Sequence, residues 1–136
     1  MKAETKVWLR FNKALIENDY VLSLAGCMSC SQVEAAGYVA LVVAFGLSFA
    51  DDNGTIDHLT DHSIERACYW DGEPGELIRL FTESGIFVGE RDSDTNPLAI
   101  SPDVWHGLGG EVLAGREAAR KRKAEQRARD RAGKKN

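Results

Sequence analysis

Residues 53–100 read NGTIDHLTDHSIERACYWDGEPGELIRLFTESGIFVGERDSDTNPLAI, and this stretch decides the fold. It holds two segments with helical apolar spacing, a tight turn between them, and an alternating segment that turns back through a polar loop. In chain order, the predicted elements are a strand Gly54–Asp57, a helix Asp61–Tyr69, a turn Asp71–Pro74, a helix Pro74–Ser84, and a hairpin that pairs Ile86–Arg91 with Pro97–Ser101.

Local signals support both predicted helices. Ile64 and Cys68 lie four residues apart in the first, as do Leu77 and Phe81 in the second, so each helix has an apolar face. Pro74 suits a first helical position, where a missing N–H leaves no bond unmade. With a long helix in front, the order is helix, strand, helix, helix, strand, strand. We therefore predict an α+β, mainly helical chain with the winged helix-turn-helix arrangement.

The chain before this stretch is predicted to add a strand and two helices. Lys6–Phe11 alternates apolar and polar residues and predicts a short strand. A short buried helix is predicted over Tyr20–Ala25, ended by Gly26. Overlapping capping boxes at Ser29–Gln32 and Ser31–Glu34 predict the start of a long helix.

That long helix is apolar on nearly every side. The apolar run Ala35–Ala50 covers 16 residues and stops at Asp51, whereas a membrane span needs roughly 18 or more. A central buried helix, or one packed against a second subunit, is therefore favoured over a membrane helix. Self-association is predicted because four small residues permit close helix approach: Ala36, Gly37, Ala40 and Ala44.

Charge is divided unevenly along the chain. Residues 1–113 hold 7 Lys+Arg and 18 Asp+Glu (7 − 18 = −11), and residues 114–136 hold 10 and 3 (10 − 3 = +7). A basic tail on an acidic body indicates nucleic-acid contact through the tail. The acidic body argues against DNA binding by the body alone. We predict a winged-helix domain over 1–110, irregular near its end at 102–110, and a basic helical tail over 111–136.

Length and cysteine content limit the class of protein. A chain of 136 residues fits one domain with one core. Its three cysteines give no disulfide framework and indicate a reducing compartment. The first residues lack the apolar segment of a secretory signal. The cytoplasm is therefore the expected location.

Motifs for catalysis are missing, and one weak metal pattern is present. There is no G-x-S-x-G, H-E-x-x-H, P-loop or G-x-G-x-x-G sequence, so we predict no enzyme and no cofactor. Cys27 and Cys30 form a C-x-x-C, and His58 and His62 an H-x-x-x-H, which are ligand types that zinc prefers. A zinc site from these four residues is the lesser alternative to core cysteines and surface histidines.

Candidate DNA contacts fall on the second helix of the pair, on its neighbours and on the tail. Arg79 and Thr82 would face a major groove, and Arg66 and Arg91 would touch the backbone. The alternative is that Arg79 merely pairs with nearby glutamates on a solvated face. The tail contributes further candidates that surround a helix on all sides, with a solvated tail as the alternative: Arg116, Arg120, Lys121, Arg122, Lys123, Arg127, Arg129 and Arg131.

The pattern resembles a known family. The resemblance is based on five segments: Val7–Phe11, Gly54–Ile56 after an apolar helix, Glu76–Phe87 leading into a hairpin, Trp105–His106, and the basic run Arg116–Lys123. Together they are similar to the N-terminal winged-helix domains of phage and prophage replisome-organiser and DnaD-like replication proteins.

The resemblance implies DNA binding and assembly at a replication origin, as oligomers and without catalysis, in a bacterial host cell. It assigns the recognition helix to Glu76–Ser84, the wing to Ile86–Ser101 and the basic tail to Arg116–Arg131. Transcriptional control is a related role, and a replication or host protein is a further expected partner. The rival interpretation is a protein-interaction module of the same fold whose acidic body binds a partner protein.

Overall fold

The computed structural model describes residues 11–133, and this part of the chain is α+β and mainly helical. Its elements are, in chain order, α1 (Lys13–Ile16), α2 (Asp19–Met28), α3 (Gln32–Phe49), α4 (Asp61–Ala67), α5 (Glu76–Glu83), β1 (Phe87–Val88), β2 (Ala99–Ile100) and α6 (Pro102–Gly133). The predicted strand Lys6–Phe11 lies outside the described residues except for Phe11, which is exposed coil.

The core forms around α3. This helix packs against α1, α2, α4 and α6, and its inward side is fully buried at Ala35, Val39, Val42, Val43 and Leu47. By length and composition α3 could cross a membrane, but the same test is met by the core helix of a globular domain. Of this helix, 39% is buried inside the structure.

The two strands form a small antiparallel sheet. Phe87 pairs with Ile100, and Thr55 makes an isolated antiparallel bridge to Ala99 on the other edge of β2. The predicted strand Gly54–Asp57 is thus reduced to one bridge. The predicted alternation of the hairpin also fails, because the consecutive residues Ile86 and Phe87 are both buried whereas Val88 is exposed. The Phe87 ring packs against the Phe81 ring, at 4.9 Å between centroids.

The boundary between α2 and α3 differs from its prediction. Gly26 does not end the helix, because α2 continues to Met28 and ends at Ser29 in the left-handed conformation, with φ of 53°. The first predicted capping box is therefore wrong. The second is supported, since the Ser31 hydroxyl accepts a hydrogen bond from the Glu34 N–H at 3.1 Å.

The start of α5 is capped by another helix. The helix was predicted to begin at Pro74, but it begins at Glu76, and its N-cap Gly75 has no side chain to accept a hydrogen bond. The buried Glu65 carboxylate of α4 takes that role, accepting from the Gly75 N–H at 2.8 Å and the Leu77 N–H at 3.0 Å. Glu65 is only 6% exposed, so α4 and α5 are joined through a desolvated carboxylate.

The predicted irregular segment at 102–110 is wrong, because α6 begins at Pro102 and is continuous to Gly133. Position 110, the predicted domain limit, therefore lies inside one helix. The first turns of α6 are held by packing. Trp105 is 1% exposed, and its indole N–H donates to the Asp52 carbonyl at 3.0 Å. A Cβ on Gly46 of α3 would lie 2.9 Å from the Trp105 ring, so glycine permits this approach.

Substituting Glu65→Ala tests the cap. The change leaves a buried N–H (Leu77) and a part-buried N–H (Gly75) without an acceptor, so we expect the free energy of unfolding to fall by about 2–4 kcal/mol in urea denaturation. Glu73→Ala, an exposed acid in the α4–α5 turn, is the matched control and should stay within about 0.5 kcal/mol of the parent. Equal effects of the two substitutions would show that the cap is not important for stability.

Candidate nucleic-acid interface

The outward face of α5 carries Arg79 between two acids. Its guanidinium donates to Glu83 at 2.7 Å and to Glu76 at 3.1 Å. The hydrogen bond to Glu83, more than any other contact, raises the pKa of Arg79. The Thr82 hydroxyl donates to the Ile78 carbonyl at 2.8 Å. The pairing of Arg79 with both glutamates gives this face a net negative charge, and DNA would have to break those contacts before Arg79 could reach a base.

Arg91 is used inside the fold. Its guanidinium donates to the carbonyls of Asp57 at 3.0 Å and Leu59 at 2.8 Å, and it pairs with the Asp61 carboxylate. The next residue, Asp92, is left-handed with φ of 64°, and its N–H donates to the Asp57 side chain. These bonds tie the loop after β1 to the segment that leads into α4, so Arg91 is a structural residue.

The described part of the body (residues 11–113) is strongly acidic, as is the whole of residues 1–113. It contains 4 Lys+Arg and 17 Asp+Glu, a net charge of 4 − 17 = −13. Three of those four cations form ion pairs. Lys13 pairs with Glu17, Arg79 with Glu76, and Arg91 with Asp61. Arg66 is exposed on α4. A phosphate backbone would therefore meet a repulsive surface over most of the body.

The arm (residues 114–133 of α6) has the opposite character. It carries 8 Lys+Arg and 3 Asp+Glu (8 − 3 = +5), and its side chains are almost all exposed. At 1.5 Å per residue the arm is about 30 Å long. All eight predicted tail cations lie in it, and the successive residues Lys121, Arg122 and Lys123 point about 100° apart around the axis. The arm thus presents positive charge in every direction.

The arm touches the body near its root. Arg120 donates to the Asp52 carboxylate at 3.0 Å, and both side chains are more than 60% exposed. Water screens such a pair, so it contributes little to stability. A groove of about 520 Å³ lies beneath it, lined by Asp52, His106, Leu113, Glu117 and Arg120 among others. Beyond Arg120, the described arm extends into solvent.

The four residues of the zinc alternative are not brought together. Cys27 is exposed at the end of α2, the Cys30 thiol contacts the Ser31 carbonyl at 3.4 Å, and a His58 ring nitrogen lies 2.8 Å from the Phe49 carbonyl oxygen. Within residues 11–133 no group of three or more His, Cys, Asp or Glu side chains is placed to hold a metal ion.

Two residues that matter in the structure could not be identified from the sequence. The Asp52 carbonyl accepts a hydrogen bond from the Trp105 indole N–H, and its carboxylate accepts one from Arg120, so Asp52 contacts α6 at two places. Tyr69, just after α4, is left-handed with φ of 57° and 81% exposed. Neither has a sequence signal, because an acidic turn and a tyrosine after a helix are common in many folds.

Comparisons with protein-family models, with curated proteins and with solved structures found no match to this chain.

Arg91→Gln tests whether Arg91 supports the fold. The change removes an ion pair and bonds to two carbonyls, so the free energy of unfolding should fall by about 1–3 kcal/mol in urea. Arg66→Gln, which alters an exposed cation, should change it by less than about 0.5 kcal/mol. The assignment fails if Arg91→Gln unfolds at the same urea concentration as the parent.

Thiol reactivity tests the placement of the cysteines. Burial, followed by the nearby Glu65 charge, raises the pKa of Cys68 to about 12. A thiol is reactive only as thiolate, so below that pKa Cys68 should stay unlabelled in the native protein at pH 8. Cys27 should react rapidly with a disulfide reagent, and Cys27→Ser should remove that fast phase. Fast native labelling of Cys68 would contradict the burial described here.

Proposed function

We propose that this protein is a non-catalytic DNA-binding protein with a winged helix-turn-helix body, and that it holds DNA chiefly through the arm. The main support for this proposal is the charge and exposure of the arm. It is an exposed helix with eight cations against three acids, and it lacks any apolar residue larger than alanine. Such a helix has no face to bury against a hydrophobic partner, but it can place cations along a phosphate backbone.

The element order supports the winged-helix part of the proposal. A helix (α3), a bridged extended segment at Thr55, two helices (α4 and α5) and a β hairpin follow one another. β2 lies between the Thr55 segment and β1. In this arrangement α5 is the recognition helix. Its Arg79 is held by two glutamates, so we expect α5 to add little affinity and to read sequence weakly.

The biological role rests on the sequence resemblance. Similarity to phage and prophage replisome-organiser and DnaD-like domains supports a role in replication initiation or transcriptional control, in the cytoplasm of a bacterial host. The mode of binding would be mainly electrostatic and sequence-independent, with strong dependence on salt.

The net charge of −11 on residues 1–113 favours one second candidate function. In it, the chain is a protein-interaction module whose acidic surface binds a basic partner protein. The two candidates differ in what the arm does, because only DNA binding requires its cations.

Salt-titrated binding to a fluorescent DNA duplex tests the proposal. In the full chain, the combined change Lys121→Gln, Arg122→Gln and Lys123→Gln should weaken binding at all sequences. It should also flatten the slope of log affinity against log salt by up to about 2.7, or about 0.9 for each lost phosphate contact.

Two control variants sharpen this experiment. Glu117→Gln with Glu125→Gln makes the arm more positive and should tighten binding, whereas Arg79→Gln on α5 should leave the salt slope nearly unchanged. No binding at low salt would reject DNA binding and favour the protein-interaction function. If the salt slope changes with Arg79→Gln but not with the arm variant, the DNA contact lies on α5 and not on the arm.

A further inference from the structure

Residues 121–133, which we call the free part of the arm, carry most of their cations along two lines. Successive residues of an α-helix lie about 100° apart around its axis, so residues spaced three, four or seven apart fall near one line. The first cationic line holds Lys123, Arg127 and Arg131, and the second holds Arg122 and Arg129. All five side chains are exposed, and none forms an ion pair with another described residue.

A line of alanines runs between the two cationic lines. Ala124, Ala128 and Ala132 follow one another at intervals of four residues, and their mean direction is about 100° from each cationic line. An alanine side chain is a single methyl group, so the helix is narrow on this side. Lys121 and Glu125 share the side with the alanines. Around the axis, the free part of the arm thus has cations, then small residues, then cations.

The alanine line faces away from the body. The buried side of α6 is marked by Val104, Trp105 and Gly109 in its first turns, and this direction is about 150° from the alanine line. Arg120, which bonds to Asp52 of the body, lies in the direction of the first cationic line instead. A large ligand can therefore approach the alanine line from solvent without meeting the acidic surface of the body.

We infer that the free part of the arm lies in the major groove of B-form duplex DNA, with the alanine line toward the base edges and one cationic line toward the phosphates of each strand. This inference rests on the proposed function. A helix with its side chains is about 10–12 Å wide, and the major groove is about 12 Å wide and 8.5 Å deep. A helix in that groove has phosphates on two sides and bases between them, which matches the order of residues around the arm.

A helix laid along the outside of one strand would use its charges differently. It would meet phosphates along a single line, and the second cationic line would point into solvent without a contact. Placement in the groove gives both lines a contact at once. The free part of the arm is about 20 Å long at 1.5 Å per residue, so it would span about six base pairs at 3.4 Å each.

The side toward the bases can read little sequence. Of its polar residues, Lys121 can donate to guanine, and Glu125 can accept from the amino group of cytosine. The alanines can contact only the methyl group of thymine. Binding in the groove is therefore consistent with the weak sequence preference expected of the arm.

Comparison of three nucleic acids of matching sequence tests the inference. The major groove of an A-form RNA duplex is too deep and narrow for side chains to read, and a single DNA strand has no groove. In salt-titrated fluorescence anisotropy, we expect the full chain to bind the DNA duplex at least roughly tenfold more tightly than the RNA duplex or the single strand at equal salt.

Two variants matched in charge test the use of both cationic lines. Lys123→Gln with Arg127→Gln alters the first line, and Arg122→Gln with Arg129→Gln alters the second. Each removes two cations, so each should lower the slope of log affinity against log salt on duplex DNA by about 1.8. Glutamine is a good helix former, and circular dichroism should show the helix content of the parent in both variants.

Methylation by dimethyl sulfate shows which groove is occupied. Guanine N7 lies in the major groove and adenine N3 in the minor groove, so the full chain should protect guanine N7 and leave adenine N3 reactive. The variant Arg122→Gln with Arg129→Gln should lose most of this protection. Arg79→Gln should keep it, which separates the arm from α5 as the occupant of the groove.

The outcomes separate this inference from the proposed function. Equal affinity for the three nucleic acids, a salt slope that responds only to the first cationic line, or protection of adenine N3 in place of guanine N7 would overturn placement in the major groove while DNA binding by the arm stands. Retained protection in the second-line variant would overturn it also. No binding to any of the three at low salt would reject the proposed function, and this inference with it.

Discussion

The carboxylate of Glu65 joins α4 to the start of α5, and the hairpin packs on this helix pair. An isolated eight-residue helix is marginal in water, and the N-cap of α5 is Gly75, which has no side chain to accept a hydrogen bond. Glu65 supplies the missing acceptors from α4, and it does so from a buried position. These two hydrogen bonds fix the start of α5 relative to α4. The contact between Phe81 of α5 and Phe87 of β1 then positions the hairpin against α5. Arg91 closes the unit from the other side by binding the carbonyls before α4.

The molecule separates its charges by means of one continuous helix. The first turns of α6 belong to the core through Trp105, while the remainder is the arm. Because no hinge interrupts α6 within 102–133, the arm leaves the body in a defined direction instead of as a loose tail. The acidic body and the basic arm are joined by the exposed Arg120–Asp52 pair. Beyond Arg120, the cations of the arm lie in solvent, away from the acids of the body.

Much of this arrangement could be predicted from the sequence, and the errors have physical causes. Apolar spacing identified α4 and α5, and turn residues identified the hairpin, because these signals are local. The predicted break near Gly107, Gly109 and Gly110 was wrong because tertiary packing overrides weak helix propensity: Gly109 lies against Leu47 of α3. The predicted start at Pro74 was wrong because the cap comes from Glu65, ten residues before the N-cap Gly75. The internal contacts of Arg91 could not be predicted from the sequence, since its partners Asp57, Leu59 and Asp61 become its neighbours only in the folded chain.

The continuity of α6 also has a consequence for how a highly charged segment can be helical at all. Forming the first turn of a helix is the unfavourable step, and adding residues to an existing turn is not. The turns around Trp105 are already ordered by the core, so they act as a permanent nucleus from which residues 114–133 extend. Cut away from that nucleus, the same residues would have mutual repulsion and no apolar stripe to order them. Residues 114–133 are therefore helical because they continue a helix that the core already orders, whereas by themselves they would be disordered.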